Sequence, residues 1–269
     1  MRSLLLSFPT KIQIILIVGL TIAAAFSTAL ICGMFFDIDQ LKTNTDLISS
    51  VYQVMGTIYA ILLTFTLWGV WQNYSDAAAS VQNEAYALLD LVHVVEATSQ
   101  WTNMDIRHAA LIYAERVVKQ EWTTLKDITN DVINIREESH SNSVEIIQMV
   151  QAIHPEGARE LTIFSHALTV LNDWLDARRT RLLIARGNSA KALWPLLLTG
   201  AFVLFAFHGL FVAETVGIWI TLLAGTSLVI GLTFYLIFSL DCPFAGVLSI
   251  DSEPFCLAIR LLKDKKLSG

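Results

Sequence analysis

Apolar residues are concentrated in four long stretches, which cover residues 12–36, 51–72, 192–212 and 216–240. A helix needs about 20 mostly apolar residues to cross the hydrocarbon of a membrane, because its backbone polar groups must all be satisfied inside the segment. The pattern therefore predicts four transmembrane helices. Short polar segments separate the first from the second and the third from the fourth, so the four helices form two hairpins.

The long segment between the hairpins has the pattern of a water-soluble helical domain. Apolar residues such as Leu88, Leu91, Val92 and Val95 recur at three and four residue spacing, and no useful strand-like alternation occurs. The sequence thus predicts an all-α membrane protein. Its expected domains are an N-terminal transmembrane hairpin at 1–73, a cytoplasmic helical domain at 74–189, and a C-terminal transmembrane hairpin with a cytoplasmic tail at 190–269.

Helix breaks within the middle domain are predicted from its polar and helix-breaking residues. They fall at Asn103, near Thr123, across 138–143 and at 154–157, where Pro155 suits the first turn of a new helix. The last helix of this domain and its first helix should be antiparallel neighbours. Counting equal distances along them predicts the pairs Asp76 with Arg186 and Glu84 with Arg179, although solvated charges of little energetic value fit the pattern equally well.

Lysine and arginine residues near the ends of the spans are very unevenly distributed. Eleven of them lie on the side of the termini and the middle domain, whereas Lys42 alone lies on the other side. Because positive charge is retained in the cytoplasm, both termini are predicted to be cytoplasmic. A cleaved signal peptide is the alternative for the first span, but its apolar run continues to Phe36, beyond a signal core.

The composition favours no catalytic chemistry. Hydrophobic residues make up 54% of the chain, charged residues 16%, and the net charge is -6. No zinc-protease, serine-hydrolase, phosphate-loop or dinucleotide motif is present, and three scattered cysteines do not suit a disulfide framework or a zinc site. We therefore expect no enzyme, no metal, no cofactor and no nucleic-acid partner.

Small residues recur every four positions along three of the spans. They are Gly19, Ala23 and Ser27 in the first, Gly56, Ala60 and Thr64 in the second, and Thr221, Gly225 and Val229 in the fourth. Small residues let helices approach closely in lipid, which indicates a tight bundle or a homo-oligomer. His208 is the one ionisable residue within the spans, and we expect it to pack between helices rather than to relay protons.

The second span also carries bulky apolar residues at helical spacing. They are Ile58, Ile61, Leu62, Phe65 and Trp68. The same residues would contact lipid or core in a single chain, or form a hydrophobic constriction in a ring of subunits. Periodicity alone does not choose between these arrangements.

The chain resembles the bacterial bestrophin-like membrane family over nearly its whole length. Four segments carry the resemblance: GTIYAILLTFTLWGVWQNYSDAAASVQNEAYALLDL, YAERVVKQEW, LNDWLDARRTRLL and LDCPFAGVLSIDSEPF. A more remote resemblance is to true bestrophins, which are pentameric ion channels with four membrane helices per subunit and a pore lined by the second. The resemblance implies a homo-oligomer, expected to be a pentamer, that lies in the inner (plasma) membrane of a bacterium and binds the lipid bilayer and small inorganic ions.

The resemblance also implies positions for the pore. Thr57, Ile61 and Phe65 would face the axis as a neck, whereas periodicity prefers Ile58, Leu62 and Phe65. After the fourth span, Asp241, Pro243, Phe244 and Gly246 would either line a cytoplasmic mouth or form a structural turn. The acidic run of animal bestrophins is reduced to Asp251 and Glu253, so calcium gating is not expected.

Charges near the spans give opposite indications of ion preference. A basic group formed by Arg178, Arg179, Arg181, Arg186 and Lys191 would raise the local concentration of anions at the inner mouth. Asp37, Asp39, Asp46 and Glu214 would favour cations outside, so the preference for anions is slight.

The alternative function is a non-conducting scaffold or sensor whose helical domain binds a protein partner through Trp101, Trp122 and Trp174.

Overall fold

A computed structural model describes residues 8–98, 105–126, 143–185, 190, 192–211, 215–246 and 248–264, and every regular element in these ranges is helical. The helices are α1 (Thr10–Gly33), α2 (Ile38–Thr43), α3 (Thr45–Glu96), α4 (Ile106–Arg116), α5 (Trp122–Lys126), α6 (143–151), α7 (Ala158–Ala185), α8 (Trp194–His208), α9 (Val216–Leu240) and α10 (Glu253–Lys263). A π-helical turn, Val117–Glu121, joins α4 to α5. The all-α fold class is thereby confirmed.

In the part of the chain that the structure describes, three helices, α1, α3 and α9, are long and apolar enough to cross a membrane by length and composition. The predicted third span is shorter in the structure, because α8 has 15 residues. At 1.5 Å per residue α8 is about 22 Å long, less than the roughly 30 Å of a bilayer core. Turns flank it at 192–193 and 209–210, and residue 212 lies outside the described residues.

Two predicted helix breaks can be compared with the structure. The break near Thr123 is wrong, because the π-helical turn carries the backbone from α4 into α5 without interruption and Thr123 donates a hydrogen bond to the Lys119 carbonyl. The break at 154–157 is present, but α7 begins at Ala158 rather than at Pro155. Asn103 and residues 138–142 lie outside the described residues.

The chain divides into two compact units. The first unit comprises Ser3–Asn73 and Asn188–Asp241, and the second comprises Tyr74–Gly187 and Cys242–Gly269. In the first unit, apolar side chains of α1, α8 and α9 form the buried interior, among them Ala25, Leu197 and Leu223. In the second unit, α3 beyond residue 74, α4, α6, α7 and α10 contribute to one hydrophobic core.

Helices of the first unit approach closely at small residues. A Cβ added to Gly231 of α9 would lie 3.1 Å from the Val18 Cα of α1. Gly200 of α8 faces the ring of Tyr59, whose hydroxyl donates a 2.9 Å hydrogen bond to the Leu197 carbonyl. The glycines that the sequence pattern singles out have a different environment, because a Cβ at Gly19, Gly56 or Gly225 would meet nothing within 4 Å among the described residues.

The C-terminal helix α10 is tied to the rest of the second unit by packing and by charge. Phe255, Ala258 and Leu262 on its inner face are buried. Lys263 forms a 2.7 Å ion pair with Glu115 of α4, and Lys119 approaches the same carboxylate at 3.0 Å. These hydrogen bonds from two lysines lower the pKa of Glu115 to about 2.

We expect Gly200→Ala to destabilise the first unit, since the new Cβ would lie 2.5 Å from the Tyr59 ring, which its hydroxyl anchors to Leu197. Gly225→Ala is the matched control, because it makes the same exchange within a helix but meets open space. The midpoint of thermal unfolding should fall for Gly200→Ala and not for Gly225→Ala. Equal midpoints for the two variants would show that the Tyr59 contact is unimportant.

The contribution of the Glu115 carboxylate to stability should depend on pH. A carboxyl group whose pKa is lower in the folded state stabilises that state above its unfolded value of about 4.5, and the effect is lost as pH falls toward 2. The thermal midpoint of Glu115→Gln should therefore lie below that of the wild type at neutral pH, and the gap should narrow below pH 4.5. A gap that is constant with pH would contradict this assignment.

Candidate functional site

One side of α3 is left uncovered along the span. Tyr59, Thr66 and Val70 are buried and lie within about 40° of one another around the helix, at 3.6 residues per turn. The opposite side forms a continuous exposed strip, which we call the α3 strip. It consists of Gln53, Val54, Thr57, Ile58, Ala60, Ile61, Thr64, Phe65, Trp68, Trp71 and Gln72.

Four of the five predicted neck residues lie on the α3 strip. Thr57 and Ile61 lie near its centre, opposite the buried Tyr59, and Phe65 is 71% exposed. Ile58 lies nearer the edge, and Leu62 is half-buried at the border with the packed side. The strip therefore matches the set Thr57, Ile61 and Phe65 better than the set that includes Leu62.

The α3 strip is uncharged but not wholly apolar. The helix has no Asp, Glu, Lys or Arg between Asp46 and Asp76. The hydroxyls of Thr57 and Thr64 each donate a 2.8 Å hydrogen bond to the carbonyl four residues earlier, on Gln53 and Ala60. Because the hydroxyl hydrogens are used within the helix, the oxygens present only acceptor lone pairs outward.

His208, at the end of α8, is enclosed by aromatic rings. Its ring lies 6.0 Å from that of Tyr52, 5.9 Å from Phe211 and 5.8 Å from Trp219. The indole of Trp219 donates a hydrogen bond to the His208 carbonyl. These contacts are those of a residue that packs between helices, as the sequence predicts.

Residues after the fourth apolar helix are mostly buried. Asp241 ends α9, and its carboxylate accepts the backbone N–H of Ala190 at 3.2 Å. In the second unit, the Phe244 ring packs at 5.7 Å on Trp122, and the Pro243 carbonyl accepts the Ile250 N–H. Gly246 has a φ of 88°, which favours glycine. This arrangement favours the structural interpretation of the segment, because three of its four predicted mouth side chains are buried.

A buried network of charged groups joins three elements of the second unit. Arg181 of α7 donates to both oxygens of Glu84 on α3, at 2.6 and 3.0 Å, and at 2.6 Å to Glu121. Arg178 pairs with Glu121 at 3.5 Å and donates to the hydroxyl of Tyr113, which in turn donates to Glu84. Two arginines and two glutamates neutralise one another in this buried network.

The network favours the charged form of Arg181 and the protonated form of Tyr113. Burial would lower the pKa of Arg181, but the adjacent carboxylates of Glu84 and Glu121 outweigh it and raise that pKa well above the ordinary arginine value. Burial, together with the carboxylate of Glu84, raises the pKa of the Tyr113 hydroxyl well above its ordinary value. Tyr113 therefore stays protonated and serves as a hydrogen-bond donor.

The structure corrects the predicted basic group. Arg178 and Arg181 are not exposed cations, because they are buried and neutralised by Glu84 and Glu121. Arg179 is exposed and pairs with Asp176 on its own helix, so the predicted pair of Arg179 with Glu84 is wrong. Arg186 and Lys191 lie outside the described residues.

Two of the three tryptophans proposed for a partner interface are not available on the surface. Trp122 and Trp174 are buried in the core, and Trp101 lies outside the described residues. Trp122 packs against Phe255, and its ring also lies 5.7 Å from the Arg181 guanidinium.

Two residues of the buried network, Tyr113 and Glu121, are not among those predicted from the sequence. Tyr113 is one turn before Val117 on the apolar side of α4, a spacing that indicates burial.

In the described ranges, no group of three or more histidine, cysteine, aspartate or glutamate side chains is arranged to hold a metal ion. Two other features characterise the described residues. The α3 strip of the first unit is exposed in the single chain, and the neutralised network of the second unit holds its own helices together.

Comparison with known proteins identifies the class. The chain is a helical membrane protein, as its long apolar helices indicate. The bestrophin-like domain matches residues 18–255, so the chain belongs to the bestrophin-like family. The fold is similar to that of a point variant of a bacterial bestrophin homologue from Klebsiella pneumoniae, with a TM-score of 0.64, 13% sequence identity, and coverage of 93% of this chain and 97% of that chain. A comparison with curated proteins gives no match.

We expect Glu84→Gln to destabilise the protein by about 3 kcal/mol or more, because it leaves Arg181 buried without its main counter-charge. Asp176→Asn removes the exposed partner of Arg179 and should cost less than about 1 kcal/mol. Chemical unfolding of both purified variants measures the difference. Similar losses for the two changes would mean that burial of the network has little energetic weight.

Proposed function

We propose that the protein is a homo-oligomeric ion channel in which copies of the α3 strip surround a shared path for small ions. Membership of the bestrophin-like family supports this proposal, and the related bacterial protein is itself described as a bestrophin homologue. The observation that carries it is the α3 strip, whose residues are all exposed to solvent in the described part of the single chain.

The chemistry of the strip suits a water-filled constriction better than lipid alone. Gln53 places an amide among large apolar side chains, and the hydroxyl oxygens of Thr57 and Thr64 keep lone pairs that can accept hydrogen bonds from water. Ile61 and Phe65 supply the bulk of a hydrophobic neck, which passes or excludes water according to its radius. We therefore assign the neck to Thr57, Ile61 and Phe65, with Ile58 beside it and Leu62 at its packed border.

The proposed topology has four spans and cytoplasmic termini. The α8 helix is shorter than the other three, and the flanking turns would complete the crossing. The domain division at 1–73, 74–189 and 190–269, five copies per channel and an inner-membrane location belong to the same proposal. The family resemblance supports the subunit number, and the uneven distribution of positive charge supports the orientation.

The proposed pathway is assigned to neither anions nor cations, although the sequence alone slightly favours anions. The slight preference for anions rested on five basic residues, and two of them, Arg178 and Arg181, are neutralised by buried carboxylates. The uncharged α3 strip favours neither sign by net charge. The proposal is therefore a pathway for small inorganic ions, with no cofactor and no catalytic step.

The alternative of a non-conducting scaffold has lost part of its support. It depended on the size of the helical domain and on tryptophans that could anchor a protein partner, but two of these, Trp122 and Trp174, are core residues.

We expect Phe65→Ala to raise ion flux into liposomes that contain the purified protein, on the order of twofold or more, because the loss of the ring widens the hydrophobic constriction. Leu20→Ala is the matched control, since Leu20 of α1 is as exposed as Phe65, at 71%, but lies outside the α3 strip. The reversal potential in a salt gradient gives the sign of the ion. Flux no greater than that of empty vesicles, or equal effects of both substitutions, would refute the neck.

A further inference from the structure

The outward side of α10 forms one wall of a surface groove in the second unit. The groove has a volume of about 260 Å³ and lies between α10 and α3, where Tyr86 forms the opposite wall. Glu253, Cys256, Leu257 and Arg260 of α10 line it. Because Phe255, Ala258 and Leu262 fix the other side of α10 in the core, this outward side has a defined orientation.

Two opposite charges on this face have no partner. Glu253 and Arg260 are exposed, and their side chains form no ion pair or hydrogen bond with any described residue. Other charged groups around α10 behave differently, because Arg107 pairs with Glu96 and Lys263 with Glu115. Between the two unpaired charges, Leu257 is 41% exposed and Tyr86 is 48% exposed.

The order of these residues makes the face complementary to itself. Glu253 and Arg260 are seven residues apart, so they lie on the same side of α10 and about 10 Å apart along its axis. Leu257 lies near the midpoint between them. A two-fold rotation places a second α10 antiparallel to the first. Glu253 of the second helix then faces Arg260 of the first, and the two Leu257 side chains face each other.

We propose that this outward face of α10 docks on the same face of a second copy of the chain about a two-fold axis. Glu253 of each copy contacts Arg260 of the other, and the two Leu257 side chains meet at the centre beside Tyr86. Charge complementarity favours a second copy as the partner, because Glu253 faces Arg260 and Leu257 faces Leu257 when the second helix is reversed.

The contact is distinct from the ring of the proposed channel. A two-fold contact joins two copies and closes on itself, so it cannot build a five-membered ring. It instead connects one oligomer to another. The face is small, so each contact is weak and a covalent cross-link is the suitable way to detect it.

Cys256 provides a direct test, because it lies one residue before Leu257, close to the proposed axis. Two preparations of the full chain with different tags, in which Cys32→Ser and Cys242→Ala leave Cys256 as the single thiol, are mixed and treated with a short bismaleimide. We expect cross-linked pairs that carry both tags, and none after Cys256→Ser. Absence of mixed pairs in the first sample would overturn the proposal.

Charge reversal distinguishes the proposed pairing from chance collision. Glu253→Arg or Arg260→Glu alone should lower cross-linking by about tenfold, since like charges then face each other. The double variant Glu253→Arg/Arg260→Glu should restore it, because the face is again complementary to itself. Arg159→Glu, which changes an exposed arginine of α7 by the same charge, is the control and should have no effect.

Two results would contradict the contact. One is a double variant that cross-links no better than the single variants, and the other is an equal loss in Arg159→Glu. Cross-linking of the unreversed face should also weaken as salt is raised, because the ion pairs are screened. The gel readout does not depend on conduction, so failure of this contact and failure of the proposed channel are separate results.

Discussion

Mutual neutralisation of buried charge is the constraint on which the second unit depends. Glu84, Glu121, Arg178 and Arg181 are all removed from water, and each would be costly to bury alone. They come from α3, the π-helical turn and α7, so the position of each element is tied to the other two. A displacement that separated them would leave an uncompensated charge in the core, which makes the arrangement all-or-none rather than gradually deformable.

The sequence was sufficient to predict the long helices, but not which of their side chains contact one another. Long uncharged stretches predict α1, α3 and α9 directly, because length and composition alone decide whether a helix suits a bilayer. The proximity of α3 and α7 was also predictable. The partner of Glu84 was not, because counting along the helices selected Arg179, which lies about 200° around the helix from Arg181.

A closer inspection of periodicity could have found the right arginine. Leu171, Trp174, Arg178 and Arg181 recur at three and four residue spacing, so the two arginines continue an apolar stripe. Charged residues within such a stripe are buried and need counter-charges. Glu121 was harder to predict, because its position depends on the π-helical turn, which local composition does not indicate. For the α3 strip, periodicity gives the faces of the helix, but it does not say what covers the exposed one.

The glycine contact between α1 and α8 limits how the first unit can move. A Cβ at Gly209 would overlap the Ala29 carbonyl, and one at Gly33 would lie 2.9 Å from the Gly209 oxygen. With backbone against backbone, no side chains are present that could change rotamer to accommodate sliding. These two helix ends therefore stay in contact, and a motion within the first unit is more easily a tilt or rotation about this contact than a separation of α1 from α8.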